Sequence, residues 1–83
     1  MQFKLLVDAD VIDILSRFPA RKRHRFYAHF RRIQRYPGNY SDHTEPDTAG
    51  RRLNVSVFEG QDIRYWIDVA DRHVKILEIE ANE

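Results

Sequence analysis

Cysteine is absent from the chain. Neither a disulfide nor a thiolate metal site can brace the fold, and no thiol nucleophile is available. Glycine is scarce: Gly38, Gly50 and Gly60 stand alone in separate turn-like stretches, so there is no glycine-rich phosphate loop. Ser16, Ser41 and Ser56 sit in no nucleophile signature. No apolar run approaches the roughly 20 residues that span a bilayer. The first residues lack the pattern of a secretory signal, which makes a cytoplasmic protein without membrane contact the expectation. No segment is low in complexity and no repeat is visible.

What remains is 83 residues, the size of one domain, here 1–83. A domain this small buries roughly 60% of its extended-chain surface and has a thin stability margin. Its net charge of +1 conceals an asymmetry. Residues 21–35, RKRHRFYAHFRRIQR, carry half of the 14 lysines and arginines and no carboxylate. From Glu59 onward the balance reverses, with Glu59, Asp62, Asp68, Asp71, Glu78, Glu80 and Glu83 against Arg64, Arg72 and Lys75. A basic patch attracts phosphate or an acidic partner, although it also serves simply as a solvated helix face.

Hydrophobic period divides the chain. Residues 2–7 (QFKLLV) alternate as a first strand, with Phe3, Leu5 and Val7 on one side. Asp8 or Asp10 can cap a helix in which Val11, Ile14, Leu15 and Phe18 share a face, and which Pro19 ends. A second helix runs from about Arg21 to Tyr36, with Phe26, Phe30 and Ile33 in one stripe and Tyr27 at its margin. Pro37-Gly38 stops it, and the short link makes the two helices antiparallel neighbours. Residues 38–50 form a polar, acidic loop that is long for so small a domain. Three strands follow: 52–57, then 62–69 after a turn at Glu59-Gly60-Gln61, then about Val74 to Ile79 after a turn at Asp71-Arg72. The last strand is apolar on both faces, which suits a central position. The expected fold is α+β, with two N-terminal antiparallel helices packed on an antiparallel sheet of about four strands, in the order β-α-α-β-β-β.

Period 2 then predicts the sheet faces. Leu53, Val55, Val57, Ile63, Tyr65 and Ile67 are expected to cover the helices. Arg52, Asn54, Ser56, Arg64 and Trp66 are expected on the other face.

The available chemistry is limited. His24 and His29 are five apart and fall on different helix faces. His43 with Asp42 and Asp47 sits in a loop of ordinary turn formers, so neither metal nor cofactor is expected. Glu45 and Asp47 suit acid–base work or, more commonly, turn and cap positions. Arg51, Arg52 and Arg64 fall on adjacent strands near one end of the sheet. Guanidinium groups there hold phosphate bidentately and stabilise charge in a phosphoryl transition state. Trp66 beside them can stack a base, worth roughly 1–3 kcal/mol. Pairing of the same arginines with Asp62 and Glu78 across strands is the alternative.

These elements resemble the RelE/ParE superfamily, small bacterial toxins of type II toxin–antitoxin modules. The resemblance is carried by VDADVIDILSRFPARKRHRFYAHFRRIQRYP (7–37), with Phe18-Pro19 and Tyr36-Pro37 at the helix ends, and by GRRLNVSVFEG and IRYWIDVADRHVKILEI (50–60, 63–79). It implies a cognate antitoxin as partner. Relatives of the RelE type cut messenger RNA on the ribosome with lysine, arginine and tyrosine side chains, and those of the ParE type inhibit DNA gyrase. This chain departs from the nuclease pattern in three places. Residues 38–50 hold no Lys or Arg, Asp62 stands where a strand usually opens with Arg, and the tail reads EIEANE.

Two functions follow as expectations. As an endoribonuclease, the chain would use Arg52 and Arg64 on phosphate and transition-state charge, with His73 or His43 as the acid–base group. As a non-enzymatic inhibitor or binding module, it would act through the basic helix (Arg23, Arg25, Arg31, Arg32, Arg35) or through Arg51 and Trp66. A remnant that has kept the fold and lost its target is the third possibility.

Overall fold

A computed structural model describes residues 2–82; Glu83, counted above in the acidic tail, lies outside it. The order is β1 (Lys4–Val7), α1 (Ala9–Ser16), α2 (Ala20–Arg35), β2 (His43–Pro46), β3 (Arg52–Phe58), β4 (Gln61–Asp68) and β5 (His73–Ala81). The helices form where the sequence signals stand. Asp8 caps α1 by accepting the Asp10 amide at 2.9 Å, which satisfies a donor that the first turn leaves free. Pro19 separates α1 from α2. Along α2, Phe26, His29, Phe30 and Ile33 fall at the i, i+3, i+4, i+7 spacing of one buried stripe.

The architecture is the expected α+β layer of two helices on one sheet. The sheet, however, has five strands in the order β1-β5-β4-β3-β2. It is mixed rather than wholly antiparallel, because β1 runs parallel to β5 while the other pairs are antiparallel. A parallel pair needs a long crossover, and the two helices are part of it. The additional strand, β2, comes from within the stretch expected to be loop. Its four residues pair with Arg52–Val55. A strand reading HTEP has no hydrophobic alternation, so only the partner strand reveals it.

Ile63, Tyr65, Val74, Ile76 and Ile79 meet Val11, Leu15, Phe26, Phe30 and Ile33 in the core. The prediction for β4 therefore holds for Ile63, Tyr65 and Ile67, the last packed at the core's margin. The prediction for β3 is inverted. Ser56 pairs with Ile63 and Asn54 with Tyr65, whereas Val55 pairs with Arg64 and Val57 with Asp62. Directly paired residues share a face, so Asn54, Ser56 and Phe58 look toward the helices and Leu53, Val55 and Val57 look away. The cause is the turn. Glu59 and Gly60 both have positive φ, 46° and 78°, the backbone of a two-residue hairpin turn in which Phe58 pairs with Gln61. A three-residue turn at 59–61 would pair Phe58 with Asp62. That one-residue difference moves every side chain of β3 to the other face.

Ser56 is 2% exposed and sits 2.8 Å from Nε2 of His29 on α2. The His29 ring stacks on Phe58 at 4.1 Å between centroids. Nη2 of Arg32, which can only donate, lies 3.4 Å from His29 Nδ1, so the ring proton is on Nε2 and is donated to Ser56 Oγ. Burial first, and the Arg32 charge second, push the His29 pKa down from 6.5 to about 4. The unfolded chain therefore binds a proton between these values that the folded one refuses, and stability falls as pH drops through that window. Unfolding free energies from urea titrations should fall between pH 7 and pH 4 by up to roughly 3 kcal/mol from this group, and His29→Gln should flatten that slope. Phe30→Ala, which empties the centre of the core, should cost about 3–5 kcal/mol at pH 7 in the same assay.

Candidate functional site

The face of the sheet that looks away from the helices is built on β2–β5. Arg64 is its centre. It projects from β4 opposite Val55 on one side and Glu78 on the other. Val55 is fully buried although it lies outside the main core, and the Arg64 side chain, only 15% exposed, lies across from it. Arg64 Nε donates to Oε1 of Glu45, the residue that the β2–β3 pairing brings alongside Leu53. Nη2 lies 3.4 Å from Glu80 and 3.9 Å from Asp62. The hydrogen bond and charge of Glu45, aided by Glu78 and Glu80, raise the Arg64 pKa further, and the same contact holds Glu45 below the usual carboxylate range. The cleft here encloses about 410 Å³, with Glu45, Asp47 and Glu78 against a single Arg64 in its wall. A guanidinium already matched by carboxylates has little charge left for a phosphate.

Trp66 is half-buried on the same face, in register with Lys75. Lys75 Nζ lies 4.9 Å, and the Arg51 guanidinium 4.8 Å, from its ring centroid. Arg51 also pairs with Asp47 at 2.8 Å, within the turn that joins β2 to β3. The ring is thus attended by two cations, an arrangement that holds the β2–β3 turn against β4.

The three residues expected to act together on RNA are not brought together. Arg52 is exposed at the start of β3 and shares the parity of Asn54 and Ser56, so it lies on the helix side of the sheet, opposite in sense to Arg64. This corrects the expectation that the two share a face, and it follows from the turn register. His73 pairs with Asp68, four residues along β4 from Arg64, or about 13 Å at strand rise. Ligand atoms of Asp68, Asp71 and His73 lie within 4.8 Å of one another. Both Asp68 oxygens are already engaged there, one by the Asp71 amide at 3.2 Å and the other by Lys75 Nζ at 3.3 Å. In the other acidic stretch, Asp42 accepts the Val57 amide at 2.7 Å and Asp47 accepts the amides of Ala49 and Arg51. These carboxylates brace turns.

The densest run of positive charge lies on α2. Arg25 is paired with Glu59 through two contacts of 2.7 and 2.8 Å. Arg23 reaches the Phe18 carbonyl at 3.3 Å. Among the described residues, Arg31, Arg32 and Arg35 form no ion pair and are exposed. Reading the helix as a sequence identified these arginines; which of the chain's arginines are neutralised depends on contacts far apart in sequence.

The arrangement has a counterpart among solved structures. A chain of the archaeal RelE–RelB complex from Pyrococcus horikoshii OT3 superposes with a TM-score of 0.81 over 98% of this chain and 96% of that one. This is the RelE fold. Sequence identity is 18%, and the similarity resides in the order of elements and their packing. No family model and no curated protein matches the chain.

Arg64→Ala removes the one cation among Glu45, Asp62, Glu78 and Glu80 and uncovers Val55. It should destabilise the protein by about 1–3 kcal/mol in urea unfolding. Arg35→Ala, with no partner to lose, should change stability by less than about 0.5 kcal/mol.

Proposed function

We propose that the chain is the toxin-type component of a toxin–antitoxin pair, held by a cognate antitoxin, and that it acts by binding rather than by cutting RNA. Its effector surface in this reading is the exposed face of α2, with Arg31, Arg32 and Arg35 as its principal cations and Arg23 at its start. The likeness to RelE supports the toxin part, and the presence of RelB in that complex supports the partner. The binding mode rests above all on one observation: Arg64 already faces three carboxylates, with Nε bonded to Glu45 and Nη2 near Asp62 and Glu80. The separation of Arg52 and His73 from it points the same way.

The nuclease reading keeps Arg52 and Arg64 as phosphate contacts and His73 as the acid–base group. It requires Glu45 and Glu80 to release Arg64 when RNA arrives. Arg51 and Trp66 belong to either reading as contacts at the edge of the sheet face. The targets that separate the two are ribosome-bound messenger RNA for the nuclease and DNA gyrase, or another bound protein, for the inhibitor.

Induction of the chain alone in a bacterial host should arrest growth. Arg31→Gln/Arg35→Gln should relieve the arrest at equal soluble expression, while Arg52→Ala/Arg64→Lys should retain it. RNA end-mapping in arrested cells should show no new cleavage sites. New sites that disappear with Arg64→Lys would establish the nuclease reading instead.

A further inference from the structure

A second cleft lies away from the sheet face. It lies where the C-terminal half of α2 meets the segment leading into β1, and it encloses about 630 Å³. That is the size of a small-molecule site. Its wall carries Arg31, Arg32 and Arg35, the amides of Gln2 and Gln34, and Phe3. Every charged side chain in it is cationic.

The cleft is held by specific contacts. Gln34 Nε2 donates to the Phe3 carbonyl at 2.8 Å and ties the N-terminal segment to the helix. Gln34 Oε1 accepts from Arg31 Nη1, also at 2.8 Å, which orients that guanidinium. Positions 31 and 35 are one helical turn apart and lie side by side along α2. Arg32 is turned about 100° from Arg31, toward His29 and Phe58. Phe3 packs against the core and supplies an apolar wall.

We infer that this cleft binds an oligophosphate anion, with the guanidinium groups of Arg31 and Arg35 as its principal ligands and Arg32 at its lip. Guanidinium is the side chain best shaped for phosphoryl oxygens, because its N–H groups meet two of them at once. The obvious opposing effect is the helix C-terminus, whose carbonyls disfavour an anion. That end carries roughly half a negative charge, against three full positive charges, so the balance favours the anion. Capping the dipole is also too small a task to need three arginines with no carboxylate near. The Phe3 wall and the two amides leave room for an organic group attached to the phosphates, such as a nucleoside. The cleft shares Arg31, Arg32 and Arg35 with the effector surface proposed above, but its ligand is small, and binding measured on the purified chain is read separately from growth arrest.

The probes are inorganic pyrophosphate and ATP, titrated by calorimetry into the purified full chain at low salt. Saturable binding of one anion per chain is expected. It should weaken at least tenfold in Arg31→Gln/Arg35→Gln and by less than twofold in Arg17→Gln/Arg21→Gln, which removes the same charge near the junction of α1 and α2. Equal affinity for the two probes would place all recognition on the phosphates, and tighter binding of ATP would add the Phe3 wall. In the unaltered protein, amide shifts on titration should concentrate at Phe3 and residues 31–35, a readout that does not depend on any variant folding. Absence of saturable binding by both probes overturns the inference. So does equal loss in the two double variants, or shifts centred elsewhere.

Discussion

The two-residue turn at Glu59-Gly60 places Phe58 opposite Gln61, and through that register it decides which way each residue of β3 faces. Gly60 adopts its positive φ without penalty, and Glu59 accepts one while holding Arg25 of α2. With the turn closed this way, Ser56 and Phe58 meet His29 under the helix, and Val55 faces outward beneath Arg64. The buried polar contact and the outward ion cluster are consequences of one register. A slip of one residue would place Val57 against His29 and Ser56 among the carboxylates, losing both at once.

The same outward face concentrates charge in a way that shapes function. Arg64 is supplied with acceptors by β2, β4 and β5 together: Glu45, Asp62 and Glu80. Two other cations, Arg51 and Lys75, are drawn to Trp66. The sheet face is thus occupied with its own stabilisation, and the densest group of cations without carboxylate partners among the described residues lies on α2. The two faces of the domain present opposite electrostatic signs, and an anionic ligand or surface approaching it is steered toward the helix.

β5 shows how a fold absorbs an irregular pattern. Val74 and Ile76 point into the core, and so does Ile79, three residues further on. The pairing shifts between Arg64–Glu78 and Tyr65–Ile76, leaving Leu77 as the extra residue of a bulge. The bulge reverses the parity of the strand, so a segment that looks apolar on both sides is in fact apolar toward one side throughout. The strand lies between β1 and β4, the interior position that its composition suggested.

The helices, their order, the basic stripe and the hydrophobic positions of β4 were legible in the sequence. Each depends on local spacing: Pro19 and Pro37 at the ends, apolar residues at 3.6 or 2, and charge counted along one helix. The layer of two helices on a sheet followed from those, and the RelE likeness from resemblance to a known family. The parity of β3, the pairing of β2 and the fate of Arg64 were decided only by the tertiary structure. HTEP has no strand signal of its own and forms a strand because β3 offers it an edge. The arginines that seemed equivalent as letters differ because Arg64 is met by carboxylates 2, 16 and 19 residues away, whereas Arg31 and Arg35 are met by none. Such neutralisation depends on distance in space, which a one-dimensional pattern does not contain.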